Sequence, residues 1–469
     1  MSQNGTPTIA LPDPEVRPKV QHRQFTAEYK NLCLPIWENI SMQSTPTLNK
    51  AVLLWIFLVS VVVVIIAWLD SPYHFDVDSQ HYIEIAEGRI YNVIKPFSNR
   101  ILHPIVAGTI AKVAHFSTEL SFLTIGILAL VVLLTAVFLV TKASSSRPTV
   151  IIAFLLTPFL VGLFQQYYLP DMFHAAILGL FFLCLGRNKL WWTLALLFLL
   201  YITRESTILL SLTVALISVY KRWWRTLLGI IIVTCLGITV STYASSLGQP
   251  NIHATSDLVY MLGKIPYNFL KNIFGIVLWT NTMAANSPTT FPNTPLLTVA
   301  VPSWLPFGAI HNVGFYTFAP LYPFSTVNTL LTTFGALPVL VLLDLARFRR
   351  NMFNSHNASP IIMAALMYGL LSFFVGTSIG ASVSRLVGYG WPAFWIASPL
   401  LLWQYHRCDN RFFLRFLSYH TTICWLPFLL AKIGVQKTPL VITSLYLALV
   451  LYGFAITEIR RTWVNTNEV

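Results

Sequence analysis

The chain has 469 residues, of which 55% are hydrophobic and only 10% charged, with a mean hydropathy of +0.66. That much apolar surface exceeds what a soluble domain buries in one core, and it places the chain in lipid. The net charge of +13 does not mark a nucleic-acid partner. The Lys and Arg residues sit in short clusters between apolar runs, the positive-inside pattern, and not along one amphipathic face.

Residues 1–50 form a polar, Pro-containing tail. It lacks the charged segment followed directly by an apolar stretch that a cleaved signal requires, so the first apolar run reads as a retained anchor. Apolar runs then begin at Ala51, Leu120, Val150, Asp171, Leu190, Glu205, Thr226, Leu321, Ser359, Trp391, Phe416 and Leu440. They predict an all-α polytopic bundle of about twelve transmembrane helices, at roughly twenty residues per crossing. Basic clusters fall at Lys142/Arg147, Arg187/Lys189, Lys221/Arg222/Arg225, Arg347/Arg349/Arg350, Arg407/Arg411/Arg415 and Arg460/Arg461. Two runs separate each cluster from the next, so all of them, with the N-terminal tail, fall on the cytoplasmic side. The short loops suit a bacterial plasma membrane with the other face toward the periplasm or exterior; an endoplasmic reticulum membrane with a lumenal face would read the same.

That alternation holds only if Ile101 to His115 does not cross. Pro104, Gly108, Lys112 and His115 interrupt it, which favours a helix lying at the interface. The first outward loop, from about Asp70 to about Glu119, then carries two short non-spanning helices, near Ser79 to Gly88 and near Arg100 to His115. Four further outward segments are short: Gln165 to Asp171, Thr203 to Glu205, Gly380 to Gly390 and Lys432 to Pro439. The fifth, 246–320, is long, rich in Asn, Pro, Thr and aromatics, and shows little periodicity. Loops of that length are usually lids or binding elements. The resulting organisation is a tail at 1–50, a module at 51–245, the long outward loop at 246–320 and a C-terminal helical module at 321–469. The five cysteines show no paired spacing, so neither a disulfide nor a structural zinc is expected.

Charge in the outward segments is the main functional signal. The first loop reads YHFDVDSQHYIEIAEGRI, with Asp76 and Asp78 just past the first span. Either can face a lipid headgroup, and Asp78 is also placed to cap the helix that begins near Ser79. The second turn, QQYYLPDMFHAA, sets His174 one helical turn after Asp171; here too Pro170 and Asp171 are a good helix start. Asp76 or Asp78 together with Asp171 would suit Mg²⁺ or Mn²⁺, which prefer oxygen ligands. No other cofactor is indicated.

The third turn, YITRESTIL, interrupts what would otherwise be about thirty continuous apolar residues, too many for one span and too few for two. Each charge at the membrane centre would cost on the order of 2.5 to 3.5 kcal/mol. Arg204 and Glu205 are therefore expected at a recessed turn between short helices, either paired with each other or facing a polar cavity. The fourth turn, GASVSRLVGYGWP, presents Arg385, which either snorkels or binds an oxyanion with its planar fork. Lys264, Tyr267 and Lys271 of the long loop are further candidates for an anionic headgroup. Sequence signatures of P-loops, serine hydrolases and zinc proteases are absent, and the N-x-[ST] matches at Asn4 and Asn357 fall on the cytoplasmic side.

This layout resembles the GT-C superfamily of membrane glycosyltransferases, which use polyprenyl-phosphate or polyprenyl-diphosphate sugars. The resemblance lies in DVDSQHY after the first span, in HYIEIAEGR and RILHPIVAGTIAKVAH as two juxtamembrane helices, in PFSNRILHP opening the second of them, and in six spans from Leu120 to Ala244. It implies sugar transfer to an acceptor on a lipid, glycan or protein at the non-cytoplasmic face, with inversion at the anomeric carbon. It further implies Asp78, or Asp76, as catalytic acid or base and Asp171 as the acidic residue of the second outward loop. Arg204 or Arg385, with Lys264, would hold the donor phosphate, and Glu205, His174, His81, Tyr82 and Arg100 would support them. A transporter or flippase of an anionic or lipid-linked substrate, with Arg204 and Glu205 on its pathway, is the main alternative. Another membrane transferase, such as a polysaccharide polymerase or acyltransferase, is the third. The absence of a visible internal repeat weighs against the transporter.

Overall fold

A computed structural model of the chain describes residues 50–70, 78–142, 155–249, 265–281, 296–304, 310–338, 360–379, 383–397, 410–432 and 443–457. In chain order its helices begin with α1 (Lys50–Asp70), α2 (Ser79–Ala86), α3 (Leu102–Ala114), α4 (Thr118–Lys142) and α5 (Pro158–Gln165). They continue with α6 (Asp171–Gly186), α7 (Leu190–Thr203), α8 (Thr207–Tyr220) and α9 (Trp224–Leu247). After a three-stranded sheet come α10 (Leu321–Phe334), α11 (Pro360–Ile379), α12 (Val383–Gly388), α13 (Asn410–Lys432) and α14 (Thr443–Thr457). The protein is a helical, multi-pass membrane protein. Among the described residues, α1, α4, α9 and α11 are each long and apolar enough to cross a bilayer. α1 turns Leu54, Phe57, Ile65 and Leu69 outward, and α9 does the same with Leu228, Ile231, Ile232 and Leu236. Such faces are stable against lipid and not against water.

The helices between these long spans are shorter. α6 has 16 residues and α7 and α8 have 14 each, so at 1.5 Å per residue they reach only about 21 to 24 Å, short of a hydrocarbon core of about 30 Å. The break at residues 204–206 falls between two such short helices, where the apolar run is interrupted. The loop helices α2 and α3 also form where the sequence places them. Asp78 occupies the N-cap position of α2, but its side chain makes no capping hydrogen bond. α3 stops at His115, whose left-handed backbone (φ 54°) closes the helix.

α2 and α3 pack tightly because Gly108 lets α3 approach the backbone carbonyl of Ala86; a Cβ at that position would collide with it. The pair is fastened to α4 and to the turn before α6 through one apolar cluster, in which Tyr82, Ala86 and Ala107 meet Phe122, Ile125, Tyr167, Tyr168 and Leu169. α4 and α6 then pack closely where Gly179 faces Ala136. The end of α9 closes the other flank: Gln249 donates from its backbone to Val93, and a Cβ on Gly248 would strike Val93 and Ser98. The segment from α2 to α3 is thus built into the bundle on both sides.

One feature adds to the all-helical reading. Within the long stretch, β1 (Ile276–Thr280), β2 (Leu297–Ala300) and β3 (Asn312–Phe318) form an antiparallel sheet in the order β1-β3-β2. Ile276 pairs with Phe318 and Thr280 with Val313, while Leu297 pairs with Phe315 and Ala300 with Asn312. The strands are β-branched and aromatic, as pleated surfaces favour, but at four to seven residues their alternation is too brief to register as a period. The Asn272 side chain donates to the Thr377 carbonyl and the Thr326 hydroxyl donates to the Asn272 carbonyl, both at 2.9 Å, which ties the approach to the sheet onto α11 and α10.

Candidate functional site

Three turns far apart in sequence meet in one buried cluster. Asp171, at the first position of α6, is 1% exposed and forms an ion pair with Arg204, itself 4% exposed, in the turn after α7. Tyr389, in the turn after α12, donates its hydroxyl to the same Asp171 oxygen. Its ring lies under the Arg204 guanidinium, 4.4 Å from ring centroid to guanidinium carbon. His174 stands edge-on to Tyr389 with ring centroids 6.0 Å apart. Neither nitrogen of the His174 ring has a hydrogen-bond partner among the described residues.

A second ion pair joins this cluster to the segment between α2 and α3. Arg100, 8% exposed, donates from Nε (3.0 Å) and Nη2 (2.5 Å) to the two carboxylate oxygens of Glu205, and from Nη1 to the Tyr82 hydroxyl at 3.2 Å. A bidentate fork of this kind fixes direction as well as distance. Phe97 supports it: Arg100 sits over its ring at 5.9 Å, Tyr82 meets it edge-on at 5.9 Å and His81 stacks on it at 4.5 Å. The side chain of Glu205 is 45% exposed. Burial by itself would raise its carboxyl, but the charge and hydrogen bonds of Arg100, with the charge of Arg204, hold it down at about 2. Burial lowers His81, against the opposing charges of Asp78 and Glu84, and pushes His103, packed between Phe122 and Phe173, down to about 3.

The structure therefore brings together Asp171, Arg204, Glu205, Arg100, Tyr82 and His174, with His81 and the part-exposed Asp78 along the rim. Adjacent Arg204 and Glu205 do not pair with each other; each has its own partner across the bundle. Arg204, expected at a lipid phosphate, is ion-paired with Asp171 inside the protein. For the Mg²⁺ or Mn²⁺ expected at Asp78 and Asp171, the described residues supply few free oxygen donors. Asp171 is committed to a cation and a phenol, and among the described residues no three His, Cys, Asp or Glu side chains are grouped to hold a metal ion. Oxygen-rich coordination is what those ions demand, so no chemical step is assigned to a metal. Asp76, Lys264 and the side chain of Arg385 lie outside the described residues. Lys271 lies over the rings of Tyr322, at 4.2 Å, and Tyr267, at 5.7 Å.

Tyr389, His103 and Phe97 lie in stretches that the sequence marks, PFSNRILHP and GASVSRLVGYGWP, but no role falls to them from the sequence. Tyr389 reaches Asp171 across 218 positions, and nothing local to either residue announces the pairing. The buried aromatics around His103 carry no charge and resemble any other apolar stretch.

No family model matches the chain, and no curated protein matches it. Among solved structures the chain is similar to the crystal structure of ArnT from Cupriavidus metallidurans in the apo state. The identity is 14% and the TM-score 0.39, over 87% of this chain and 77% of that one. A likeness of that size assigns neither family nor activity.

Proposed function

We propose that the protein is a membrane glycosyltransferase of the GT-C type, which moves a sugar from a polyprenyl-phosphate or diphosphate donor to an acceptor hydroxyl on the non-cytoplasmic face. The observation that carries this reading is the clamp between the first outward loop and the bundle. A helix pair headed by an acidic residue is held by Arg100 on Glu205, beside a second, fully buried pair. Asp78 is left part-exposed at the start of α2. A preorganised polar rim of this kind serves chemistry at a membrane surface better than it serves a moving pathway, since a bidentate pair fixes direction and a buried pair is costly to break.

In the reaction, the carboxylate of Asp78 accepts the proton of the acceptor hydroxyl as its oxygen attacks the anomeric carbon. The bond from that carbon to the phosphate oxygen breaks with its electron pair, and the lipid phosphate departs as an anion. A phosphate leaves without protonation, so one carboxylate suffices, unlike the paired acids of glycoside hydrolysis. The reserve base is Asp76, and Arg385 and Lys264 are the cations assigned to the donor phosphate. Asp171, Arg204 and Tyr389 act as positioning residues, and the long stretch with its sheet covers the site.

The test is sugar transfer by purified protein from a panel of polyprenyl-phosphate sugars, with wild type and Asp78→Asn at matched folding. Loss of a general base is expected to slow transfer by about 10²- to 10⁴-fold. Transfer that is unaffected by Asp78→Asn moves the role to Asp76 or Asp171. No transfer from any donor would favour the transporter instead.

A further inference from the structure

The same helices that meet at Asp171 and Arg204 end, at their other extremity, around a cavity of about 570 Å³. Its lining comes from two adjacent hairpin turns. Leu185, Asn188, Leu190 and Thr193 belong to the α6–α7 turn, and Arg222, Trp223, Trp224, Arg225 and Thr226 to the α8–α9 turn. Arg187, Lys189 and Lys221 stand in the same two turns, and neither turn contains an Asp or Glu. Among the described residues, Arg187, Lys189, Arg222 and Arg225 have no ion-pair partner.

Positive-inside bias accounts for basic residues at this end, but not for their placement around a hollow. α7 and α9 both begin at the cavity, with no acidic residue in the first turn and no side-chain cap. Cations at helix N-termini oppose the helix dipole, so Lys189, Arg222 and Arg225 raise the electrostatic cost of this end unless an anion sits among them. The walls favour a lipid over a free ion: Leu185, Leu190, Trp223 and Trp224 offer apolar surface beside the arginines. Trp191, Trp192 and Trp224 are 82%, 67% and 63% exposed. Exposed tryptophans of that kind belong at the headgroup level of a bilayer, and basic pockets between helices on the cytoplasmic side hold anionic headgroups.

We infer that this cavity binds an anionic phospholipid of the inner leaflet, its phosphate between Arg222 and Arg225 and its acyl chain along Leu185, Leu190 and the tryptophans. The site lies at the opposite end of α6 to α9 from the proposed transfer site and does not depend on that reading.

Full-length protein, delipidated in detergent and given phosphatidylglycerol or phosphatidylcholine, tests it by native mass spectrometry of retained lipid. Wild type is expected to prefer phosphatidylglycerol by about thirty-fold, as two basic residues at an anionic headgroup would give. Arg222→Gln with Arg225→Gln should abolish that preference, whereas Lys95→Gln with Lys112→Gln, an equal charge loss in the first outward loop, should keep it. Equal retention of the two lipids by wild type overturns the proposal, as does a preference that survives in the arginine variant. Displacement by millimolar inorganic phosphate would reassign the cavity to a soluble anion and overturn the lipid. A variant with Trp223→Phe and Trp224→Phe keeps every charge; in nanodiscs of phosphatidylglycerol with brominated chains it should lose a component of the fluorescence quenching that wild type shows. Unchanged quenching in that variant speaks against a lipid chain in the cavity.

Discussion

The two ends of α6 to α9 treat charge in opposite ways. At one end Asp171, Arg204, Arg100 and Glu205 are each paired across the bundle, with three of the four side chains under a tenth exposed. At the other, Arg187, Lys189, Arg222 and Arg225 have no ion-pair partner among the described residues, and Arg222 and Arg225 line the cavity. Buried charge that must hold a shape is neutralised inside the protein, because an unpaired ion in low dielectric costs several kcal/mol. Charge left to solvent or to a ligand costs little to leave unpaired. The contrast predicts which substitutions damage the fold and which change only what the protein binds.

The largest effect is expected from Arg204→Ala, which strands the Asp171 carboxylate at 1% exposure. A loss of about 3 to 5 kcal/mol follows for a broken buried pair, read as thermal unfolding of the detergent-solubilised protein. Removing both charges together, with Asp171→Asn and Arg204→Met, should recover much of that loss. A cost for Arg204→Ala no larger than that for Arg225→Ala would erase the contrast between the two ends.

Gly108→Val comes next. The added Cβ meets the Ala86 carbonyl, and about 1 to 3 kcal/mol is expected from overpacking. Because α2 carries Asp78 at its head, transfer activity should fall in the same variant, separating the loop from the bundle. Unchanged stability and activity would mean that α2 and α3 do not depend on this contact.

Glu205→Gln is expected to cost less, about 1 kcal/mol, because its side chain is 45% exposed and solvent screens the pair. Its pH dependence has a definite sign. The carboxyl, held at about 2 against an ordinary 4.5, contributes stability that is fully present above pH 4.5 and is lost as pH falls through about 2. The difference in unfolding temperature between wild type and Glu205→Gln should therefore be constant from pH 7 to 5 and shrink below that. Taking the difference removes the contribution of His103, which acts in the same direction. A gap that grows on acidification would contradict the Arg100–Glu205 pairing.

The smallest effect is expected at the opposite end. Arg225→Gln should alter stability by less than about 0.5 kcal/mol in the absence of lipid, and a larger loss would reveal a structural role there.

Much of this architecture is legible in the chain itself. Apolar runs mark the helices, Pro104 and Gly108 mark the short helix α3, and Arg204–Glu205 marks the turn between α7 and α8, because each is a local pattern set by what lipid tolerates over a few consecutive residues. The alternation of basic clusters likewise predicts that the turns carrying Asp171, Arg204 and Tyr389 share a face, and these three residues meet. What local pattern does not contain is the choice of partner. Arg204 sits next to Glu205 in the chain yet pairs with Asp171, and Glu205 turns to Arg100, 105 positions away. Only the packing of α6, α7 and the segment between α2 and α3 brings those side chains within reach. The same holds for Tyr389, for the short strands of the long stretch, and for the two basic turns, whose charges are plain in sequence but whose placement beside one open cavity arises from helices lying side by side. Composition and periodicity determine which segments enter the membrane, since transfer from water to lipid is a property of each segment alone. Which charges neutralise one another, and which are left to meet a ligand, is decided in three dimensions, since pairing depends on distances that sequence separation does not encode.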